Sequence, residues 1–397
     1  MTVRVEKPAF NLRDKLTQLD KPVGVHGSQI LKSETPQDTF KLVGAGRKNI
    51  IINGDMRIAQ RSTNVTNIST TDTYYTADRW KLWIGNAGTF TNSITTVDDV
   101  RVPGFRQGFK YECTSAVGSL GSSSSMLFTQ NVERHNTLHL KKGYPDAEYI
   151  TVSFYVKSSI TGKYVLEIYD NVNNRHCSKG YTINRPNVWE YKTITYPPDV
   201  TGRLHPANTT GLSFYWWLVA GSTYAGGELT EIWQSAVSNQ RSGGGTANIG
   251  LTSGATWEIT GIQAETGKVA TEFEYLDYEA QLALCYRYYR RFSPYSPTGT
   301  DNYCGFGIGI INQTAGGIWT FPLDIPMRDS PSITQNNLRL YDGSNNQNIT
   351  AMNTNRSSQT SIWVEPATSS SSFTTGRAFL IGGNNTAGGY VELDAEL

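Results

Sequence analysis

The amino-acid sequence predicts an all-β protein organised around an antiparallel, jelly-roll-like sandwich. Two observations lead to this fold class. Charged residues make up only 17% of the 397 residues, whereas Gly (38), Tyr (22) and Trp (9) are plentiful, as in turn-rich β proteins. Short apolar or alternating segments also recur along the chain, separated by Gly, Pro and Asn, which is the pattern of a two-sheet sandwich.

Composition also excludes several classes of function. The net charge of +1 gives no field that would attract nucleic acid or an anionic membrane. No apolar run approaches the roughly 18 residues of a membrane span, and the opening MTVRVEKPAF lacks the apolar region of a secretory signal. A β-rich chain without such a signal fits a protein made in the cytosol and released by cell lysis.

The four cysteines show neither a CxxC motif nor metal-binding spacing. They are scattered through the sequence at Cys113, Cys177, Cys285 and Cys304. We interpret them as free thiols of a protein made in a reducing compartment.

Residues 1–48 are predicted to be an arm rather than a domain. Most of the stretch is polar and interrupted by Gly and Pro, so it cannot bury enough apolar surface to fold alone. Asn11–Leu19 has the spacing of about two helical turns with an apolar face. We expect an arm that orders on a partner, the alternative being a disordered leader; the expected attachment residues are Phe10, Leu12, Leu16 and Leu19.

Residues 49–272 are predicted to form the sandwich. The apolar run Asn49–Asn53 is expected to be a buried strand, and residues 226–250 a long irregular insertion. Further strands are predicted from apolar or alternating segments between turn residues. They are Asp78–Ile84, Gly108–Cys113, Ser125–Val132, Tyr149–Lys157, Lys163–Tyr169, Val188–Tyr196, Leu212–Val219 and Ala255–Ile262.

Residues 273–292 are predicted to be a linking helix. Leu282, Cys285, Tyr286 and Tyr289 fall at i, i+3, i+4 and i+7, which is one face of a helix of about three turns. Arginines follow on, and basic residues suit a helix C-terminus. We expect this face to pack against the sandwich or against a neighbouring chain.

Residues 293–397 are predicted to form a second, smaller β module. Its apolar residues are few for its length, so we expect contact with other copies of the chain to complete its burial. The predicted strands are Phe306–Ile311, Ala315–Phe321, Ser332–Leu340, Ser361–Pro366, Arg377–Gly382 and residues 390–397.

Several phrases, in this order, resemble a β-sandwich domain of tailed-phage fibre and virion proteins. Two phrases match the opening of that domain, one its central strand, one its last strand and exit helix, and one the stretch that follows. They are NIIINGDMRIAQRS, YYTADRW, YITVSFYVKSSITG, WEITGIQAETGKVATEFEYLDYEAQLALCYRYYRRF and FPLDIPMRDSPSIT. The chain departs from the pattern at Ala264, Thr266 and Ala280–Gln281, which leaves the framework intact.

The resemblance implies a virion structural protein, often a homotrimer, whose sandwich is similar to carbohydrate-binding modules. The opening TVRVEKPAFNLRDKL is similar to a virion-attachment leader of marine podophage proteins. The family supplies no catalytic residues that could be transferred to this chain.

Neighbouring aromatic residues are the candidates for glycan contact. Tyr215, Trp216 and Trp217 are adjacent on a predicted strand, so Trp216 faces away from the other two. One face should be core, while an exposed ring on the other can stack on a sugar. Trp216 is the leading candidate, with Tyr215 and Trp217 beside it, although most aromatic residues of a sandwich are core.

Four aromatic residues near the start of the sandwich, Tyr74, Tyr75, Trp80 and Trp83, carry the same ambiguity. Trp80 lies within the family motif and is predicted to be structural. Asp78–Arg79 beside it is predicted to be a buried ion pair.

The carboxylates do not predict an enzyme. Glycoside hydrolysis usually needs two of them facing each other across a cleft. Those that cluster here flank a predicted strand end and helix start, where acidic residues favour the helix dipole; they are Glu265, Glu272, Glu274, Asp277 and Glu279.

No cofactor is predicted either. The five histidines share no transition-metal pattern. A structural Ca²⁺ bound by Asn53, Asp55 and Asp78 is the one metal considered.

The leading hypothesis is a fibre or spike component of a podophage-like virion that attaches by its arm and contacts host-surface glycan. Weak sugar contacts would then gain strength from avidity in a trimer. The alternatives are a capsid-decorating or tail-connecting protein without receptor binding and, third, a glycan-degrading enzyme.

Overall fold

The computed structural model describes residues 25–32, 47–245, 247–293, 305–353, 356–384 and 388–397. The chain divides into two compact units, Met1–Lys48 and Asn49–Leu397. In the first, Val25–Leu31 forms helix α1, which the sequence did not predict because the surrounding stretch contains Gly and Pro. The predicted helix at Asn11–Leu19 and the attachment residues Phe10, Leu12, Leu16 and Leu19 lie outside the described residues.

The second unit begins with a sandwich of two antiparallel sheets. Sheet A contains β1 (Asn64–Ile68), β4 (Thr89–Thr96), β5 (Gln107–Ser115), β7 (Ile150–Ser158), β10 (Glu190–Tyr196) and β13 (Thr256–Thr266). Sheet B contains β2 (Thr71–Tyr74), β3 (Lys81–Gly85), β6 (Ser125–Glu133), β8 (Gly162–Asp170), β9 (Arg175–Ile183), β11 (Thr210–Ala220) and β12 (Gln234–Ser235).

The strand order is β1-β4-β5-β13-β7-β10 in sheet A and β12-β9-β8-β11-β6-β3-β2 in sheet B. From β5 to β8 successive strands alternate between the sheets, which is jelly-roll connectivity. The predicted all-β, jelly-roll-like sandwich is therefore confirmed.

Aromatic rings fill the space between the two sheets. Trp80 stacks on Phe128 with 4.3 Å between ring centroids, and Trp216 approaches both rings at 5.7 and 5.8 Å. Trp80 also donates a hydrogen bond from Nε1 to the carbonyl of Asn53 at 2.8 Å. Trp80 is thus the structural residue that the sequence predicted.

The run Asn49–Asn53 is buried but is not a strand, so the prediction is half wrong. Its backbone groups bond partly to side chains instead of to a neighbouring strand. Gln130 accepts a hydrogen bond from the Ile52 amide and donates one to the Ile52 carbonyl, both at 2.8 Å. A side-chain amide thereby satisfies buried backbone groups that a strand would otherwise pair.

The helix of the linking segment is shorter than the predicted helix over residues 273–292. Helix α3 spans Tyr278–Tyr286, and strand β14 (Tyr289–Phe292) follows it. A four-residue helix, α2, at Ser222–Ala225 lies within the sandwich unit. The other helical turns among the described residues are 3-10 helices at Arg134–Leu140, Ser238–Gln240 and Ile249–Leu251.

A closed six-stranded barrel follows the linking segment. Its strands are β15 (Gly305–Gln313), β16 (Gly316–Pro322), β18 (Leu338–Tyr341), β19 (Asn346–Asn353), β20 (Ser361–Thr368) and β21 (Ala378–Gly383), in the closed order β15-β16-β20-β19-β18-β21. A small sheet, β14-β22-β17, joins the linking segment to β22 (Tyr390–Asp394) and β17 (Ser332–Asn336).

One strand prediction in the barrel region needs correction. The single strand expected over Ser332–Leu340 is two strands, because Asn337 between them adopts a left-handed backbone with φ of 50°. Asn tolerates that conformation better than most residues.

Arginines of the sandwich meet carboxylates that follow the barrel strands. Arg61 contacts Asp394 at 3.0 Å and Glu396 at 3.5 Å. Arg79, which is 1% exposed, also pairs with Glu396 and lies 3.5 Å from the ring centroid of Tyr288. The prediction that Asp78 and Arg79 pair with each other is therefore wrong, because Arg79 pairs with Glu396. Both side chains are buried, as predicted.

Arg328 completes this contact from the barrel side. Its guanidinium donates to the carbonyl oxygens of Ala395 (2.6 Å), Asn208 (2.8 Å) and Glu396 (3.0 Å). We call the contact formed by Arg61, Arg79, Arg328, Asp394 and Glu396 the seam.

In the part of the chain that the structure describes, no helix is long and apolar enough to cross a lipid bilayer.

Candidate functional site

The outer face of sheet B aligns aromatic and polar side chains in rows. In one row, Trp83 of β3 pairs with Leu127 of β6, which pairs with Trp217 of β11. In the next, Thr129 pairs with Tyr215. Because side chains alternate along a strand, these rows share a face, opposite to the core residues between them.

A cavity of about 420 Å³ lies over these rows. We call it the groove. Trp83 is 42% exposed, and its ring is held by a 3.0 Å hydrogen bond from Nε1 to Oγ of Ser125. The lining residues are Asp72, Lys81, Trp83, Ser125, Leu127, Thr129, Asn131, Asn171, Tyr215, Trp217, Tyr224, Arg241 and Leu397.

A buried carboxylate organises the floor of the groove. Glu167 of β8 is fully buried and accepts hydrogen bonds from Nε1 of Trp217 (3.0 Å) and Nε of Arg241 (2.9 and 3.1 Å). Nδ1 of His176 lies 3.0 Å from the same carboxylate. Both carboxylate oxygens are therefore engaged, which fixes the indole of Trp217 and the guanidinium of Arg241.

The predicted insertion 226–250, with the residues just before it, forms one wall of the groove. Tyr224 packs on Trp217 with 5.1 Å between ring centroids. The guanidinium of Arg241 lies 5.3 Å from the ring centroids of both Tyr215 and Trp217. These contacts place the insertion over the outer face of sheet B and leave the groove open beside it.

The rest of the lining supplies hydrogen-bonding groups. Lys81 pairs with Asp72 at 2.7 Å. Asn171 donates to Oγ of Ser213 at 2.8 Å, and that hydroxyl donates to Asn131 at 2.6 Å. Oγ1 of Thr129, which is 3% exposed, has no hydrogen-bond partner within the described residues. A ligand hydroxyl in the groove would satisfy it.

Two ionisable groups of the groove have shifted pKa values. Burial lowers the pKa of Arg241, but the adjacent Glu167 carboxylate raises it, and the net pKa lies above the ordinary value. Burial raises the pKa of Tyr215. At neutral pH the groove therefore presents a protonated guanidinium and a neutral phenol.

The glycan-contact candidates divide between the two sides of sheet B. Trp216 is fully buried in the core, so it does not reach the groove, and its choice as the leading candidate is corrected. Tyr215 and Trp217 both line the groove, although Trp217 is only 2% exposed. Trp83, which the sequence left ambiguous, is the most exposed aromatic ring of the three.

Sequence reasoning missed Glu167, Arg241 and Tyr224. Glu167 lay within a predicted strand, where one polar residue among apolar ones is unremarkable. Arg241 lies in the insertion, 74 residues further along the chain. No local spacing connects the two residues, because their contact depends on how the insertion folds back over β8.

The predicted packing residues contact other parts of the same chain. Cys285 and Tyr289 are buried, at 0% and 1% exposed, and Leu282 packs on the cluster that includes Cys285. Tyr286 is half-buried and lies 4.7 Å from the guanidinium of Arg290. Tyr289 belongs to β14, so the four residues do not form one helical face.

Two of the three predicted calcium ligands, Asn53 and Asp78, accept hydrogen bonds from backbone amides instead. Oδ1 of Asn53 accepts the amide of Ile58 at 3.0 Å, and Oδ1 of Asp78 accepts the amide of Gln60 at 3.0 Å. Among the residues that the structure describes, no group of three or more His, Cys, Asp or Glu side chains is arranged to hold a metal. The cysteines among them, Cys113, Cys177 and Cys285, are free thiols.

The acidic cluster near the linking helix lies away from the groove. Glu265 is 3% exposed and accepts hydrogen bonds from Nε2 of Gln263 and the amide of Thr271, both at 2.8 Å. Glu274 accepts the amide of Asn49 at 2.8 Å. These carboxylates hold the segment after β13 against the sandwich.

Solved structures that are similar to this chain include a phage tailspike domain and carbohydrate-binding modules. The enzymatically active domain of tailspike protein 4 from bacteriophage CBA120 is 14% identical over 55% of this chain, with a TM-score of 0.27. The match spans only 21% of the tailspike chain.

Two modules match over nearly their whole length. The family 11 carbohydrate-binding module of Clostridium thermocellum Lic26A-Cel5E is 12% identical, with a TM-score of 0.26, over 52% of this chain and 98% of the module. TmCBM61, solved with β-1,4-galactotriose, is 10% identical, with a TM-score of 0.28, over 56% of this chain and 100% of the module. No protein-family model matches the chain, and neither does any curated protein sequence.

Proposed function

We propose that the chain is a structural protein of a tailed-phage virion, a tail fibre or spike component that contacts host-surface glycan through the groove of sheet B. The observation that carries the proposal is the groove itself, where the rings of Trp83 and Tyr215 lie beside hydrogen-bonding side chains in a cavity of about 420 Å³. Aromatic faces suit the apolar faces of sugar rings, and a few polar groups beside them give orientation. The motifs shared with phage fibre proteins support the virion part of the proposal.

The protein acts in this proposal by binding and not by catalysis, and it needs no cofactor. Both oxygens of Glu167 are engaged by Trp217, Arg241 and His176. Asp72, the other carboxylate of the groove, is paired with Lys81. A glycosidase instead needs one carboxyl to donate a proton and another to attack or to activate water.

The proposal includes a homotrimer with an N-terminal attachment arm. Support for self-association comes from the barrel, where Ile308, Ile310 and Leu380 are 65%, 50% and 46% exposed on neighbouring strands. Exposed aliphatic side chains in a contiguous patch are typical of protein interfaces. Three copies on one fibre would raise the avidity of weak sugar contacts.

An adsorption competition tests the proposal. Purified protein is mixed with host cells, and adsorption of the phage that encodes it is counted. We expect a dose-dependent block, and we expect Trp83→Ala to need about tenfold more protein because it removes the exposed ring of the groove. Tyr144→Ala, which truncates a tyrosine that is 41% exposed outside the groove, serves as the control.

Failure of the folded wild-type protein to block adsorption would contradict receptor binding. It would favour a capsid-decorating or connecting role instead. Release of reducing sugar from host polysaccharide would contradict the non-enzymatic part.

A further inference from the structure

The outer face of sheet A carries a second cluster of aromatic rings, on the other side of the sandwich from the groove. Tyr155 of β7 pairs directly with Tyr191 of β10, with 4.9 Å between their ring centroids. Phe105 lies 5.7 Å from Tyr155, 4.9 Å from Phe273 and 5.5 Å from Tyr275. The loop before β5 and the segment after β13 thus extend an aromatic surface that begins on the sheet.

Two cavities lie along this aromatic surface. One, of about 460 Å³, is lined by Tyr155, Tyr191 and Phe273, and the other is about 380 Å³. Phe105 and Tyr275 line both, so we treat the two as one continuous cleft. Each volume falls within the roughly 300–1,000 Å³ that is usual for ligand sites.

The rims of the cleft present ring surface to solvent. Tyr191 is 49% exposed and Tyr275 is 55% exposed. Gly104 has a backbone φ of +87°, and a Cβ at this position would lie 2.3 Å from the hydroxyl of Tyr275. A glycine is therefore required for Tyr275 to rest on the loop before β5.

A buried carboxylate oxygen at the end of the cleft lacks a partner. Asp55 is 4% exposed, lines the smaller cavity, and contacts Nε of Arg57 through Oδ2. Its other oxygen, Oδ1, has no hydrogen-bond partner within the described residues. A buried acceptor in this state is costly and is suited to a hydroxyl donated by a ligand.

The charges of the cleft favour an uncharged ligand. The acidic side chains that line it are Asp55 and Glu272, and the basic ones are Arg57 and Arg106. This balance gives no net attraction for an anion or a cation. Ring faces combined with a carboxylate and a guanidinium suit a molecule with apolar faces and many hydroxyls, which describes a neutral saccharide.

We propose that this cleft is a second glycan site, which binds an uncharged oligosaccharide across Tyr191 and Tyr275 with one sugar hydroxyl donating to Oδ1 of Asp55. The site is separate from the groove of sheet B and goes beyond the function proposed above. One sandwich would then hold saccharide on both of its outer faces.

Calorimetric titration of the full chain tests the second site. The double variant Trp83→Ala/Tyr215→Ala removes two of the four aromatic residues that line the groove, including the exposed Trp83. The probes are maltotetraose, cellotetraose, β-1,4-mannotetraose and β-1,4-galactotetraose. We expect this variant to bind at least one probe. Adding Tyr191→Ala should weaken that binding by about tenfold or more, and adding Tyr144→Ala should leave it unchanged.

Asp55→Asn is the second test substitution, because it keeps the shape of Asp55 but alters the unpartnered acceptor; we expect a similar loss. Tyr191 lies on the edge strand β10 and is half exposed, so Tyr191→Ala keeps the test valid if Asp55→Asn misfolds.

The outcomes separate the two sites. Binding by the wild type that vanishes in the groove variant overturns the second site and leaves the first standing. Binding in the groove variant that is insensitive to Tyr191→Ala, or no binding of any probe by that variant, also overturns it. Binding by the groove variant together with a failed adsorption competition would sustain the second site without the proposed virion function.

Discussion

The sandwich and the barrel bury their apolar residues in different ways. In the sandwich, Trp80, Phe128, Trp216 and Trp257 lie between the sheets and contact one another through their rings. The barrel encloses a smaller core and leaves several isoleucine and leucine side chains on its outer surface. The sandwich thus completes its burial within one chain.

The outer surfaces differ in the same way. Those of the sandwich combine aromatic rings with hydrogen-bonding groups, as in the groove. On the barrel, Ile308 pairs directly with Leu380, and Ile310 with Ile318, so that aliphatic side chains form an unbroken patch. The difference teaches that the two modules present different chemistry to a partner: rings with hydrogen-bonding groups on the sandwich, and an aliphatic surface of the kind found in protein interfaces on the barrel.

The largest expected effect is in the sandwich core. Trp80→Ala should lower the free energy of unfolding by about 3–5 kcal/mol, because it leaves a cavity beside Phe128 and Trp216. Denaturant unfolding followed by circular dichroism measures the change. Trp83→Ala is the matched control, since the same truncation at a 42% exposed site should cost far less; equal losses would contradict the contrast between core and surface.

The second-largest effect on stability is expected for a substitution in the seam. Arg328→Ala removes three hydrogen bonds to the carbonyl oxygens of Ala395, Asn208 and Glu396. We expect the free energy of unfolding to fall by about 2–4 kcal/mol, and the barrel to unfold before the sandwich. Calorimetry would detect the separated transitions. In the control, Arg101→Ala, an exposed arginine paired with Asp99 is lost, and a change above about 1 kcal/mol there would be unexpected.

A smaller, pH-dependent effect is expected beside the seam. Burial raises the pKa of Asp78 to about 6, above the usual range near 4. Between these values the folded state holds a proton that the unfolded state has released, so the free energy of unfolding falls as pH rises from about 4 to about 6, by roughly 2–3 kcal/mol.

Asp78→Asn should remove this part of the pH dependence. Unfolding curves of both proteins from pH 4 to pH 7 would check it, with the exposed Asp98→Asn as control. A difference between wild type and Asp78→Asn that stays constant with pH would contradict the raised pKa.

The smallest effect on folding is expected at the barrel surface. Ile308→Ser/Leu380→Ser should change the free energy of unfolding of the monomer by less than about 1 kcal/mol, because both side chains are exposed. The molar mass from light scattering should nevertheless fall from that of the proposed trimer to that of a monomer. Val100→Ser, at a site that is 97% exposed on the sandwich, should leave the trimer intact. A trimer that survives the double substitution would exclude this patch as the interface.

The apolar strands of the sandwich, such as Ser125–Glu133, Ile150–Ser158 and Thr210–Ala220, were predictable because they show local alternation or continuous apolar runs. The alternation of side chains along a strand also placed Trp216 on the face opposite to Tyr215 and Trp217. It does not specify which of the two faces is in the core. That depends on the partner sheet, whose residues are distant in sequence. Asp78 and Arg79 show the same limit, because the left-handed backbone of Arg79, with φ of 72°, gives the two side chains different partners.

Strands with polar sequences escaped prediction. Arg175–Ile183 and Asn346–Asn353 lack a clear apolar alternation. The first includes the buried His176, whose Nε2 lies 3.2 Å from Nε2 of Gln234, 58 residues away in the insertion. Long-range hydrogen bonds satisfy the buried polar side chains of this strand, and the local sequence pattern does not reveal such bonds.

The seam sets an interval during synthesis. Arg61 and Arg79 precede their carboxylate partners by 333 and 317 residues. At about 5–20 residues per second, a ribosome needs tens of seconds to supply those partners. Both arginines are therefore present for that time before Asp394 and Glu396 have been made. A cell that produces this protein must carry the chain through a stage in which those cations are open to other acidic chains.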